Sequence, residues 1–460
     1  MLDFAQELKK IESKAEYADI RISDCVHEKI SIENSNPTLL SETIKLQYGV
    51  RVFCNGSWGF SSGNNLNDVS SALQTASKLA RLNSVKKKEK FSLDVTSSKK
   101  ANVTAPFKIN PTSVPLSEKL LRLGELNKVL NQKKVSNRTL TVVFSTETNF
   151  FQNTSGASIS EEKGIFDIRA FIVGKKQGKP VRTFGRIGRA DGYDFFQNMN
   201  MENFGNEILS SLDNHMIAKK APAGKLPILM SNDLTGVFFH EALGHACEAD
   251  AILENCSVLK GKLGEKIAPS FLNVKDSANI PKEHGYYKYD DEGMIAGNTT
   301  LIKNGILKGY MHSMETANRM GVKPTGNGRA QNPKLLPIVR MTNTIVEKGN
   351  FSKEELLKEI NCGIYAIGSS GGVVEPTNGN FLFNAQDAFL IENGKIKYPL
   401  KDVSFGGNIL DTLQKIKGIG RDAKPAFTGG FCGKGGQMVP VGESAPHVLI
   451  SEAMVGGTNK

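Results

Sequence analysis

Three of the five Asn-Gly pairs, those at positions 55–56, 304–305 and 393–394, each join two segments of apolar or alternating residues. A two-residue type I′ turn needs positive φ at both central positions, which Asn and Gly tolerate best. Each pair therefore predicts a tight antiparallel hairpin. Ile44, Leu46, Tyr48, Val50 and Val52 lead into Trp58 and Phe60, Leu301 and Ile302 into Ile306 and Leu307, and Leu390 and Ile391 into Lys395 and Ile396. A chain punctuated this way in both halves is committed to antiparallel sheet, and helices must fit around it.

Helical periodicity is strongest in the first half. Phe4, Leu8, Ile11 and Ala15 form one stripe, and Val69, Leu73, Ala76 and Ala80 form another within about 66–82. Further helices are expected after Ser117 and over about 206–218, with strands near 140–144 and 166–173. The stretch 86–115, rich in Lys, Ser, Thr and Pro, reads as a connector. In the second half, Ser352 and Glu355 form a capping box for a short helix that Cys362-Gly363 is expected to stop. The expected fold class is α+β: an N-terminal mixed α/β region followed by a β-rich C-terminal domain carrying a metal-binding helix. The expected divisions are residues 1–90, 91–221 and 222–460, which suits a chain of 460 residues.

Composition excludes several functions. No apolar run approaches the roughly 18 residues of a membrane-spanning helix. The opening MLDFAQELKKIESK mixes charges without an apolar core, against a signal peptide. Six cysteines include no C-x-x-C pair, which fits a reducing, cytoplasmic setting. The net charge of +11 is spread along the chain; its densest run, Lys86 to Lys90, reads as a solvated linker rather than a nucleic-acid groove.

The chemistry concentrates in His240-Glu241-Ala242-Leu243-Gly244-His245, which follows a strand-like Leu226 to Met230 and a helix start at Ser231 to Asp233. This H-E-x-x-x-H is one residue longer than the zinc-peptidase H-E-x-x-H. At roughly 100° per residue, the added residue turns the second imidazole about 140° from the first on an ideal helix. A π-bulge would restore them to one face, and Gly244 is expected to ease it by tolerating unusual dihedrals. A hydrolytic site needs a third protein ligand and an open position. Glu248, Asp250 and Cys247 lie close by. Cys432 is the distant choice, with Lys434 expected to favour its thiolate. The other four cysteines are expected to act as small hydrophobes. The glycine-rich segments 324–329 and 368–372 read as turns or as backbone approaching a substrate.

Those residues resemble a known family. His240 to His245, Leu301 to Met311, Pro324 to Arg329, Arg340 to Thr344 and Cys432-Gly433-Lys434 are similar to the TldD branch of the TldD/PmbA metallopeptidases. Tyr48 to Val52 and Trp58 to Phe60 fit as well. The resemblance covers nearly the whole chain. It implies a soluble metalloprotease with His240, His245 and Cys432 as metal ligands and Glu241 as the catalytic residue. It implies pairing as a homodimer, or as a heterodimer with a metal-free TldE/PmbA-type paralogue. The expected cofactor is one divalent ion, zinc first and iron second, and the expected substrates are unfolded or short polypeptides. Tyr310, His312 and Arg340 are candidates for substrate or oxyanion contacts. The competing functions are a small-amide hydrolase and a DNA- or topoisomerase-associated regulator.

Overall fold

The computed structural model describes residues 3–87, 90–93, 98–426 and 429–456. Lys88 and Glu89 of the basic run lie outside them. The chain is mixed α and β with strand predominating, 24% helix against 45% strand. Among the described residues no helix is long and apolar enough to cross a membrane.

A seven-stranded sheet forms the N-terminal part. Its order is Ser57–Gly63, Asn36–Cys54, Tyr17–Glu33, Val135–Asn153, Ser158–Lys176 and Lys100–Val103, with Lys179–Arg189 also paired to Ser158–Lys176. The first Asn-Gly turn is present as expected, with φ of 47° at Asn55 and 80° at Gly56. Alternation along Tyr17–Glu33 separates two environments. Ile20, Ile22, Ile30 and Ile32 belong to apolar clusters with the helices Val69–Lys86 and Leu116–Leu130. At Gly59 a Cβ would lie 1.9 Å from the Ala76 carbonyl oxygen, so the first of these helices sits directly on a glycine.

The opposite positions, Asp19, Arg21 and Ser23, are polar yet buried. Arg21 donates to the carbonyls of Pro333 (3.2 Å) and Leu335 (2.8 Å), while Arg51 bridges Asp19 (3.0 Å) and Glu292 (2.8 Å). This face is thus covered by the C-terminal half. Polar strand positions therefore need not face water here, and the strands expected at 140–144 and 166–173 run much longer, as Val135–Asn153 and Ser158–Lys176. The expected connector 86–115 also contains a strand, Lys100–Val103, too short to show a period; it pairs in parallel with Ser158 to Glu161.

The C-terminal half is β-rich. Gly224–Met230 pairs in parallel with Cys362–Glu375 and antiparallel with Val448–Gly456 in an eight-stranded sheet. A second sheet contains Val274–Ser277, Asn298–Lys303, Asn343–Val346 and Gln437–Ala445. Helix Asn232–Phe239 packs against strands of both, burying Leu234, Phe238 and Phe239. The Asn-Gly turns at 304–305 and 393–394 have positive φ at each residue, and the Ser352 capping box is present. That helix ends at Lys358. Cys362-Gly363 opens the next strand instead of stopping the helix.

His215 joins the two halves. Its Nδ1 lies 3.0 Å from the Arg182 carbonyl oxygen, and its Nε2 lies 2.9 Å from that of Gln386 and 3.1 Å from an Asp387 carboxylate oxygen. Acceptors at both nitrogens require protons on both. The hydrogen bond to Asp387 outweighs partial burial and raises the pKa to about 9. The unfolded value is about 6.5, so this stabilisation is complete below about 6.5 and is lost as pH rises through about 9. Denaturant titrations should show His215→Gln less stable than wild type near neutrality, with the gap closing by roughly pH 10. A gap that stays constant with pH would refute the doubly protonated imidazole.

Candidate metal centre

Ser231 ends the strand Gly224–Met230 and caps the next helix, its hydroxyl accepting from the Leu234 amide. That helix widens into a π-turn at His240–Gly244, then tightens through His245–Cys247 before Glu248 extends the backbone. The widening expected from the five-residue spacing is present, and it sets the two imidazole centroids 5.6 Å apart. Gly244 has ordinary right-handed dihedrals, φ −58° and ψ −54°, so conformational freedom is not its purpose. A Cβ there would lie 1.9 Å from the Met341 sulfur. The glycine leaves room for that side chain.

Cys432 arrives on the strand Gly430–Lys434, paired opposite Val439 across a hairpin turned by Gly435 and Gly436, both at positive φ. Its Sγ lies 3.4 Å from His245 Nε2, and the ligand atoms of His240, His245 and Cys432 all fall within 4.8 Å of one another. Each imidazole is oriented from behind. Thr344 Oγ1 stands 3.4 Å from His240 Nδ1, and His245 Nδ1 is 3.0 Å from Glu248 Oε2. Such support of the distal nitrogen is what a metal-binding histidine requires.

Burial raises the Cys432 pKa, but hydrogen bonds from His240 and His245 outweigh it and bring the thiol down to about 5. Burial lowers His240, yet the same contact raises it to about 9; His245 moves up well beyond its ordinary value through Glu248 and Cys432 against burial. Protons here stand where a cation would stand. A thiolate with two imidazoles, buried together and pre-oriented, is a donor set suited to zinc or a neighbouring divalent ion.

Glu241 is outside this triplet, with its side chain 38% exposed and its Oε2 3.7 Å from His245 Nε2. With His240 and Cys432 it lines a cleft of about 990 Å³ that also includes Phe184, Ile187, Phe431 and Glu443. The other candidate residues lie elsewhere. Tyr310 is buried and donates to the Leu259 carbonyl at 2.8 Å. His312 is buried beside Thr316, and burial depresses its pKa to about 4. Arg340 is fully buried and donates to the carbonyls of Gln437 and Cys432, so it braces the thiol's strand and does not reach the cleft.

Lys434 is engaged by Asp250 and Glu248, and the groups that hold the thiol low are the two histidines. Asp250 is tied up by that ion pair, and Cys247 is a buried thiol pushed up by desolvation. Cys256 and Cys362 are exposed, so they are not the buried small hydrophobes expected. Sequence reasoning missed Thr344 and Met341. Both fall in the segment 340–344, but nothing in that pentapeptide indicates which side chain meets a histidine.

Metal uptake must displace the protons on His240 and His245. Between about pH 5, where Cys432 becomes a thiolate, and about pH 9, where His240 loses its proton and becomes neutral, affinity should climb by up to about tenfold per pH unit for each proton displaced. Zinc added to metal-free protein at neutral pH should release about one proton per imidazole, measured with an indicator in weak buffer. No proton release would contradict the geometry. Gly244→Ala should weaken zinc binding, because the new methyl forces Met341 or the π-turn to move.

Comparison with known proteins places the chain in a family. The chain matches the models for PmbA/TldA metallopeptidase domain 1 over residues 18–81, the central domain over 109–221 and the C-terminal domain over 223–457. A Methanothermobacter thermautotrophicus protein named Metalloprotease is 35% identical over 98% of this chain and 98% of its own length. A Saccharolobus solfataricus protein named Zinc metalloprotease TldD homolog is 28% identical over 98% of this chain and 99% of its own. The crystal structure of TldE from Thermococcus kodakarensis superposes with a TM-score of 0.79 at 21% identity, covering 99% of this chain and all of that one, a likeness of fold. With models spanning its three parts and a relative at 35% identity along nearly its full length, this chain belongs to the TldD/PmbA metallopeptidase family.

Proposed function

We propose that this protein hydrolyses peptide bonds in unfolded or short polypeptides at a single divalent ion held by His240, His245 and Cys432. The observation that carries the reading is the convergence of those three donors within 4.8 Å beside Glu241 on a cleft wall. When bound, a divalent ion supplies Lewis acidity toward the scissile carbonyl and acidifies water at neutral pH. Zinc is favoured by the mixed thiolate and imidazole donors, and the name of the Saccharolobus relative supports it.

The protein's own groups do the rest. Glu241, partly exposed on the cleft and not a ligand, takes the proton from water and returns it to the departing amine. Thr344 and Glu248 hold the imidazoles so that their metal-facing nitrogens do not wander. His240 and Cys432 are each only 3% exposed, so a folded surface cannot bring its backbone to them, whereas an extended chain can. Residues 368–371 and 184–187 line the same cleft, where an extended peptide could lie strand-like. Assembly with a second copy or with a metal-free paralogue of the same fold belongs to this reading.

Glu241→Gln should lower peptide hydrolysis by about 10²–10⁴-fold while zinc content stays that of wild type. Near-normal turnover would remove Glu241 from the mechanism. Cys432→Ser should lose zinc affinity by orders of magnitude, measured by chelator competition; full occupancy would exclude the thiol as a ligand.

A further inference from the structure

The geometry points to Lys434 as a positioning residue that sets the metal-binding posture of His245 through Glu248. This rests on the reading of His240, His245 and Cys432 as ligands, and adds a residue that neither binds the ion nor meets the substrate.

Cys432 and Lys434 are two apart on one strand, so both project from the same side. Both reach the short segment that follows the π-turn. The ammonium of Lys434 lies 2.7 Å from each Asp250 carboxylate oxygen, 3.1 Å from Glu248 Oε2 and 3.0 Å from the Val339 carbonyl oxygen. An ammonium has three protons; both Asp250 oxygens and the Val339 carbonyl accept from it, and Glu248 Oε2 faces it as an ion pair. Nothing is left over for the thiol.

Glu248 gives the arrangement its meaning. Its side chain is 2% exposed, and the oxygen facing Lys434 is the one that accepts from His245 Nδ1. Its other oxygen, Oε1, is buried with no hydrogen-bond partner among the described residues. The carboxylate is therefore held at one oxygen only, between an imidazole and an ammonium. Remove the ammonium and only the imidazole it is meant to orient remains to fix its rotation. Asp250, which is more exposed, anchors Lys434 from the far side. One strand thus delivers a ligand and, two residues later, the cation that fixes the partner of another ligand.

The test is metal affinity in the full chain, read by chelator competition with zinc and by the sulfur-to-metal absorption band with cobalt. Lys434→Met and Glu248→Gln should each weaken binding by about 10–100-fold, the usual scale for a group behind a ligand. Lys434→Arg, which keeps the charge, should recover most of the loss. The double variant should bind no more weakly than Glu248→Gln alone, because Lys434 acts through that carboxylate. Unchanged affinity in Lys434→Met, or losses that add fully, would overturn the inference. So would a cobalt band displaced by Lys434→Met but not by Glu248→Gln, which would place the lysine's effect on the thiol. If Lys434→Met does not fold, Lys434→Gln removes the charge while keeping hydrogen bonding, and the same outcomes apply. A Cys432→Ser arm separates the two readings: a cobalt band that survives there refutes the ligand set itself, whereas additive losses with the band intact refute only the role of Lys434.

Discussion

Two imidazoles five residues apart can face one ion only if the helix carrying them widens, and the C-terminal half is arranged to keep it wide. A π-turn is rare because the regular helix usually wins. Here packing removes that choice. Phe238, Phe239 and Leu243 are fully buried around the turn, and Met341 occupies the space beside Gly244. The strands Asn343–Val346 and Gln437–Ala445 pair in parallel and flank the helix, so Thr344 reaches His240 from a fixed backbone. The turn is held by apolar contact, and the side chains it aims are then fixed by hydrogen bonds.

The same division recurs where the two halves meet. The N-terminal sheet turns an apolar face to its own helices and a polar, buried face to the C-terminal half. An apolar second face would also exclude water, but it would tolerate sliding. Asp19, Arg51 and Glu292 do not, because an ion pair buried at 0–3% exposure loses its compensation when displaced. The Arg21 contacts to two carbonyls add a directional constraint of the same kind.

The sequence carried much of this in local signals. The Asn-Gly turns, the capping box and the apolar stripe of Val69–Lys86 are local, so their physics is visible in a few adjacent residues. The π-turn was legible for the same reason: spacing alone required it. What escaped depends on distant partners. Gly244 looks like a conformational glycine until Met341 is seen beside it. Lys434 looks like a neighbour of the thiol until Asp250 and Glu248 claim it. Arg340, with five donors, resembles an oxyanion group until its burial beneath the Cys432 strand is known. Short strands such as Lys100–Val103 are set by their parallel partner, which no window of four residues reveals. Residue type and spacing alone left Glu248, Asp250, Cys247 and Cys432 open as the third donor; the fold brings the last of these to the histidines.

Cys432 stands 187 residues after His245. The two histidines are made early and share one turn, but their third companion does not exist until the ribosome has added that whole interval. A growing chain therefore holds the two imidazoles without the thiol until the strand Gly430–Lys434 has been made. Completion of the fold is the event that brings the three donor atoms together.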